Sequence, residues 1–296
     1  MNEPEGTPEG PRGPRLENRL PAEGINSSSE HPLREAAWLI GATLSVLAAA
    51  VLLVGWGAQW LAPQLPFSAE VAIASQVMGQ EQAQPEAHAA ASRALQALAN
   101  RIAATMGLPP GMAVVVRFSD TPVVNAYATV GGHIRVHRGL LEHVRSEDAL
   151  AALLAHEMAH VTHRHVAANL GRGLALALLL GAVSADAGAA AAQGALGQAT
   201  QMALMSYTRE QESAADAEAL RAVVALYGHG GGLIDLFSTL GTATAGLEPP
   251  AELLLSHPLM RHRIQAAQAL GWEQGWKMSG ALSPLPAGLL PQKPGG

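Results

Sequence analysis

Two histidines four residues apart flank a glutamate in the run His156-Glu157-Met158-Ala159-His160. On a helix, residues four apart share a face, so both imidazoles can converge on one ion, with Glu157 one position round from His156. Zinc suits such a pair. It accepts neutral imidazole nitrogens and keeps a position for water, whose pKa it lowers to about 7. Glu157 is then placed to take a proton from that water and pass it to a leaving amine, the chemistry of metal-assisted peptide hydrolysis.

Such a centre needs a third protein ligand. The metzincin continuation would require Gly and His at the positions held by His163 and Val166, which excludes it. No glutamate occurs between Val161 and Arg209, so the next candidates are Glu210 and Glu212. His163 lies seven residues beyond His156, about 10 Å along a helix axis, too far to join the same ion.

Four separated blocks resemble one family. They are VVNAYATVGGHIRVHRGLL (123–141), LAHEMAHVTHRHVA (154–167), SYTREQESAAD (206–216) and SHPLMRHRI (256–264). In this order they are similar to the membrane-associated gluzincin zinc metallopeptidases, among them HtpX, BepA, the mitochondrial overlapping-activity protease and the CAAX prenyl proteases. The resemblance runs from about Ala69 to Leu270. It implies a zincin-like metalloprotease domain with one zinc per chain, held by His156, His160 and Glu212, and Glu157 as catalytic base. It further implies that Asp216, one helical turn past Glu212, pairs with Arg263 behind the ligands. His257 would face the zinc as a transition-state donor, a gate or an extra ligand. Asn125, Ala126, Gly131, Gly132 and His133 would bind substrate, with the strand after the two glycines as the edge of the cleft, pairing with an extended peptide. His165 matches a family position and is expected to be structural.

These residues need elements to carry them. Ser146 is a good N-cap for a helix running to about Asn169, with Gly171 and Gly173 ending it. Short β-branched runs at 112–118, 123–128 and 133–137, separated by turn residues, predict a small sheet. Ala-rich helical patterns precede it at 68–82 and 86–106. The fold class expected is α+β and mainly helical, preceded by one transmembrane helix. The domain layout expected is a disordered tail (1–35), a membrane anchor (36–62), a linker (63–70), the metallopeptidase domain (71–272) and a Pro-rich tail (273–296).

The anchor follows from the absence of any charge between Ala36 and Ala69 and from Trp38, Trp56 and Trp60 near the ends of the apolar run. Arg12, Arg15, Arg19 and Arg34 precede it, and no Lys or Arg follows until Arg93, which predicts a cytoplasmic N-terminus and a periplasmic or otherwise extracytoplasmic domain on the inner membrane. Leu174–Val183 is apolar but short, and is expected to be a lid or a membrane-leaning helix.

Composition bounds the rest. The 296 residues are 49% hydrophobic but only 4% aromatic, which favours Ala- and Leu-rich helices over a large sheet. A net charge of -6, with Lys277 and Lys293 the only lysines, leaves no basic stripe for nucleic acid. The absence of cysteine excludes disulfide scaffolds, thiol nucleophiles and iron-sulfur clusters. Polypeptide substrates and the membrane are the partners expected. The function expected is hydrolysis of unfolded or misassembled envelope proteins as quality control. Its rival is a zinc-stabilised, chaperone-like binding module, against which an intact Glu157 weighs.

Overall fold

A computed structural model describes residues 32–61, 64–77, 85–173, 194, 207–243 and 260–289. The chain divides into two units, Met1–Val46 and Leu47–Gly296. Helix α1 (Pro32–Leu61) carries a 25-residue stretch, Leu33–Gly57, of mean hydropathy 2.3. Its large apolar side chains, including Trp38, Leu44, Leu52 and Trp56, are exposed. By length and composition it can cross a bilayer.

In the second unit, α2 (Phe67–Val77) and α3 (Glu86–Met106) precede three short strands: β1 (Val115–Ser119), β2 (Ala126–Thr129) and β3 (His133–His137). Helix α2 falls on the helical pattern expected at 68–82 and overlaps the end of the segment assigned as a linker, 63–70. Gly107 closes α3 in the left-handed conformation, at φ 61°, where a side chain would be strained. The sheet order is β1-β3-β2, with β3 parallel to β1 and antiparallel to β2. This corrects one expectation: the strand after Gly131-Gly132 is central, its residues paired to both neighbours, so it cannot serve as the cleft's edge. The two glycines do make the β2–β3 turn. They do not fix where β1 joins, and β1 comes in parallel on the far side of β3, which leaves β2 as an edge.

A four-residue turn, α4 (Arg138–Leu141), leads to α5 (Glu147–Thr162), which carries the His-Glu-His run. The Ser146 hydroxyl accepts the Ala149 N–H, and Glu147 and Asp148 sit in the first turn, where acids favour a helix start. The helix stops at Thr162, earlier than expected, and helical backbone resumes over 165–173. The break lies at Arg164, which adopts φ 59°. The helix that carries the two histidines therefore ends before Gly171, which lies inside the resumed helical stretch, and Leu174–Val183 falls outside the described residues.

Helices α6 (Arg209–Tyr227), α7 (Gly231–Ala243) and α8 (Met260–Glu273) complete the domain. A capping box between Thr208 and Gln211 opens α6, and Gly228 ends it in the left-handed region. The core lies where α5 packs against α3, α6, α7 and β2. Leu150, Leu154 and Met158 of α5, Leu95 and Ile102 of α3, Leu220 of α6 and Leu233 and Phe237 of α7 are all buried there.

The segment expected to be a Pro-rich tail also packs on this core. The Glu147 N–H donates to the Ser283 carbonyl at 2.9 Å, the Ser283 N–H donates to Asp148 Oδ2 at 2.9 Å, and Pro284 forms a bridge with Ser146. The Gly230 N–H donates to the Lys277 carbonyl at 2.7 Å, and Leu289 is buried. Residues 276–289 thus form a strap over the start of α5.

Candidate metal centre

Helical spacing on α5 brings the two imidazoles together, as the sequence pattern requires. His156 and His160 meet edge-on, with ring centroids 4.7 Å apart and Nε2 atoms 3.1 Å apart. From α6, Glu212 Oε1 lies 3.3 Å from His160 Nε2, and Oε2 lies 3.7 Å from His156 Nε2. All three side chains are buried, and among the described residues they are the one cluster of three or more such donors close enough to hold a metal ion. Ligands of a tetrahedral zinc at ~2.0–2.1 Å stand ~3.3–3.4 Å from one another, so the donor set fits zinc in both type and spacing. Glu210, the other candidate from the sequence, is exposed, because two residues on a helix point nearly opposite ways. Glu157 is fully buried beside the two histidines on α5.

Behind the donors stands a buried charged group. Asp216 Oδ1 lies 2.9 Å from His156 Nδ1. A carboxylate there accepts the Nδ1–H, which leaves the Nε2 lone pair directed at the ion. Arg263 of α8 donates to both oxygens of Asp216, from Nε at 2.8 Å and Nη2 at 2.6 Å, and its Nη1 lies 3.0 Å from Glu212 Oε2. Its guanidinium also stands 4.5 Å from the centroid of Phe237. Burial works against both charges, yet their mutual hydrogen bonds outweigh it, holding Asp216 below the ordinary carboxylate range and Arg263 above its ordinary value. Both therefore stay ionised and the pair stays fixed.

His160 is held from two sides. Tyr207 stacks on its ring at 3.6 Å and 16°. Burial, and after it the charges of Glu157 and Glu212, push the Tyr207 phenol well above its ordinary pKa, so it stays neutral. On the other side, His165 Nδ1 lies 3.0 Å from His160 Nδ1. Burial, reinforced by the neighbouring His163, pushes His165 down to about 4, so it is neutral and able to accept. His163 pairs with Glu218 at 2.5 Å and takes no part in the donor set.

The structure thus gathers His156, Glu157, His160, Glu212, Asp216 and Arg263. The remaining expected residues fall nearby or outside. Asn125 and Ala126 are buried at the start of edge strand β2, and Gly131 and Gly132 are buried in the turn against which α5 packs. His133 opens the central strand β3. His257 lies outside the described residues. His165, expected to be structural, meets His160, a partner that its spacing does not announce, and Tyr207 went unread although it sits inside a quoted sequence block, because it has no spacing of its own that points to the ligands. A cavity of about 420 Å³ opens beside the centre between α6 and α8, lined by Glu212, Ser213, Asp216, Arg263, Ala267 and Leu270.

The beta-barrel assembly-enhancing protease of Escherichia coli strain K12 is 32% identical over 157 residues, 49% of this chain and 32% of that protein. Metalloprotease YcaL of the same strain is 29% identical over 148 residues, 49% of this chain and 57% of YcaL. Mitochondrial metalloendopeptidase OMA1 of Arabidopsis thaliana is 38% identical over 69 residues, 23% of this chain and 14% of that protein. The chain thus spans about a third of the length of the assembly-enhancing protease. The sequence model of peptidase family M48 matches residues 89–270, a stretch that runs from α3 through the helix bearing Arg263. That match takes in His156, Glu157, His160, Glu212, Asp216 and Arg263 and covers more than half of the chain, which therefore belongs to peptidase family M48.

Proposed function

We propose that this protein is a zinc-dependent endopeptidase that cleaves unfolded or misassembled polypeptides of the cell envelope. The observation that carries the reading is the buried convergence of His156, His160 and Glu212 with Glu157 on the same helix. His156, His160 and Glu212 would hold zinc, which when bound would supply the Lewis acidity that such hydrolysis needs near neutral pH. Glu157 takes the proton from the attacking water and returns it to the leaving amine. Asp216 holds His156 in the tautomer that presents Nε2, and Arg263 holds Asp216 and Glu212 in place.

Edge strand β2, with Asn125 and Ala126 at its start and Gly131-Gly132 at its end, offers backbone groups to an extended peptide, as edge strands do. Pairing through backbone asks little of the substrate's side chains, which suits unfolded clients. The name of the Escherichia coli relative supports an envelope substrate. Helix α1, with arginines before it and none for dozens of residues after it, supports a single-pass anchor in the inner membrane with the catalytic domain outside the cytoplasm.

Casein digestion by the full chain in detergent, with and without a chelator and beside Glu157→Gln, tests the reading. Wild type should cut and stop cutting when chelated, while Glu157→Gln should retain zinc and lose turnover. Near-normal turnover by the zinc-loaded variant would remove Glu157 from its role.

A further inference from the structure

Helix α2 precedes the residues matched by the family, and five residues separate it from the end of α1. It nevertheless reaches Arg164, the neighbour of His165, and the turn at Gly131. Glu70, near its start, is buried, and Oε1 accepts from Arg164 Nε while Oε2 accepts the Gly131 N–H at 3.4 Å. Arg164 is buried too, with its guanidinium 5.9 Å from the centroid of Phe67, also on α2. Among the described residues it is the one non-glycine with a positive φ. Side chains with a Cβ seldom adopt that conformation and keep it where the surroundings over-determine it.

The break at Arg164 has a geometric result. In an unbroken helix, His165 would point roughly 140° away from His160, given ~100° per residue. The left-handed residue turns it back instead, so that the two Nδ1 atoms stand 3.0 Å apart. Two nitrogens at that distance share one hydrogen. With His160 Nε2 committed to the metal, His160 donates from Nδ1 and His165 accepts.

We propose that α2 is part of the support of the metal centre: Glu70, by holding Arg164 in its left-handed conformation, sets His165 as the acceptor that fixes the orientation and tautomer of His160. This rests on the zinc reading of the site. Glu70 and His165 are positioning residues. Because the second oxygen of Glu70 holds Gly131, the same carboxylate also secures the turn that ends edge strand β2.

The test measures zinc affinity of the full chain in detergent by competition with a chelating dye, together with the melting temperature of the zinc-free protein. His165→Ala should weaken zinc binding about 10- to 100-fold while leaving the zinc-free melting temperature near that of wild type. His165→Asn, whose amide oxygen can accept, should recover most of the affinity. Glu70→Gln should weaken zinc about tenfold. Arg164→Gly, which tolerates the left-handed conformation, should retain more affinity than Arg164→Ala, whereas simple loss of packing predicts the reverse order. Zinc affinities of His165→Ala and Glu70→Gln within twofold of wild type overturn the proposal, whatever their melting temperatures. A wild-type chain that binds no zinc overturns the site itself, and this inference with it.

Discussion

Replacing Arg263 by Ala should destabilise the zinc-free protein far more than the zinc-loaded one. Arg263 is 8% exposed and makes three contacts with carboxylates, two to Asp216 and one to Glu212, all within 3.0 Å. Removing it leaves two buried carboxylates without their shared cation, a loss that in buried pairs typically costs about 3–5 kcal/mol. For a domain of this size, each kcal/mol moves the midpoint by about 2–4 °C, so the zinc-free variant should melt about 6–20 °C below wild type. Zinc restores a positive charge against Glu212, so saturating metal should narrow the gap. Arg263→Lys keeps the charge but loses the rigid fork that reaches both acids, and should fall between the two. The assay is thermal unfolding of the full chain in detergent after exhaustive chelation, repeated with saturating zinc. A zinc-free shift below about 2 °C, or an equal shift with and without zinc, would refute the electrostatic argument.

Metal analysis of purified wild type should give one zinc per chain, and His160→Ala and Glu212→Ala should each lose it; full retention in both would sink the site. Gly132→Ala should fail to fold or lose at least ~2 kcal/mol, since a Cβ there would meet the Ala113 carbonyl oxygen at 2.2 Å on top of a φ of 79°, whereas Gly107→Ala, at φ 61° with open space around it, should lose only the ~1–2 kcal/mol of a left-handed alanine. Equal melting temperatures for the two glycine variants would show that close approach does not matter at Gly132. Reporter fusions after Gly107 and after Gln274 should both signal the extracytoplasmic side; two cytoplasmic signals would reverse the orientation while leaving the zinc site intact.

The local features were legible in sequence because their signals are local. Four-residue spacing put His156 and His160 on one face, Ser146 marked the start of their helix, and an uncharged run marked α1. The third donor was narrowed by elimination to Glu210 or Glu212, and only the resemblance chose between them. The contacts that reach across the chain were not legible. Glu70 and Arg164 are 94 residues apart, and the helical pattern around Glu70 says nothing about which residue it meets. The break in α5 falls at an arginine, where no glycine or proline announces it, so the helix reads as continuous past His165. The sheet's strands could be marked but not ordered, since the β2–β3 turn says nothing about where β1 inserts. Residues 276–289 read as a tail because Pro and Gly suppress periodicity, yet backbone hydrogen bonds need none.

The strap over the start of α5 sets an order of assembly. Asp148 receives the Ser283 N–H from 135 residues downstream, a contact whose loop-closure cost local contacts do not carry. During synthesis, the helix carrying both histidines emerges well before the backbone that closes its first turn. Until residues 277–284 arrive, the Glu147 N–H and the Asp148 carboxylate lack the partners they have in the finished domain. The first turn of the helix that carries both histidines is therefore completed only by backbone lying 135 residues downstream.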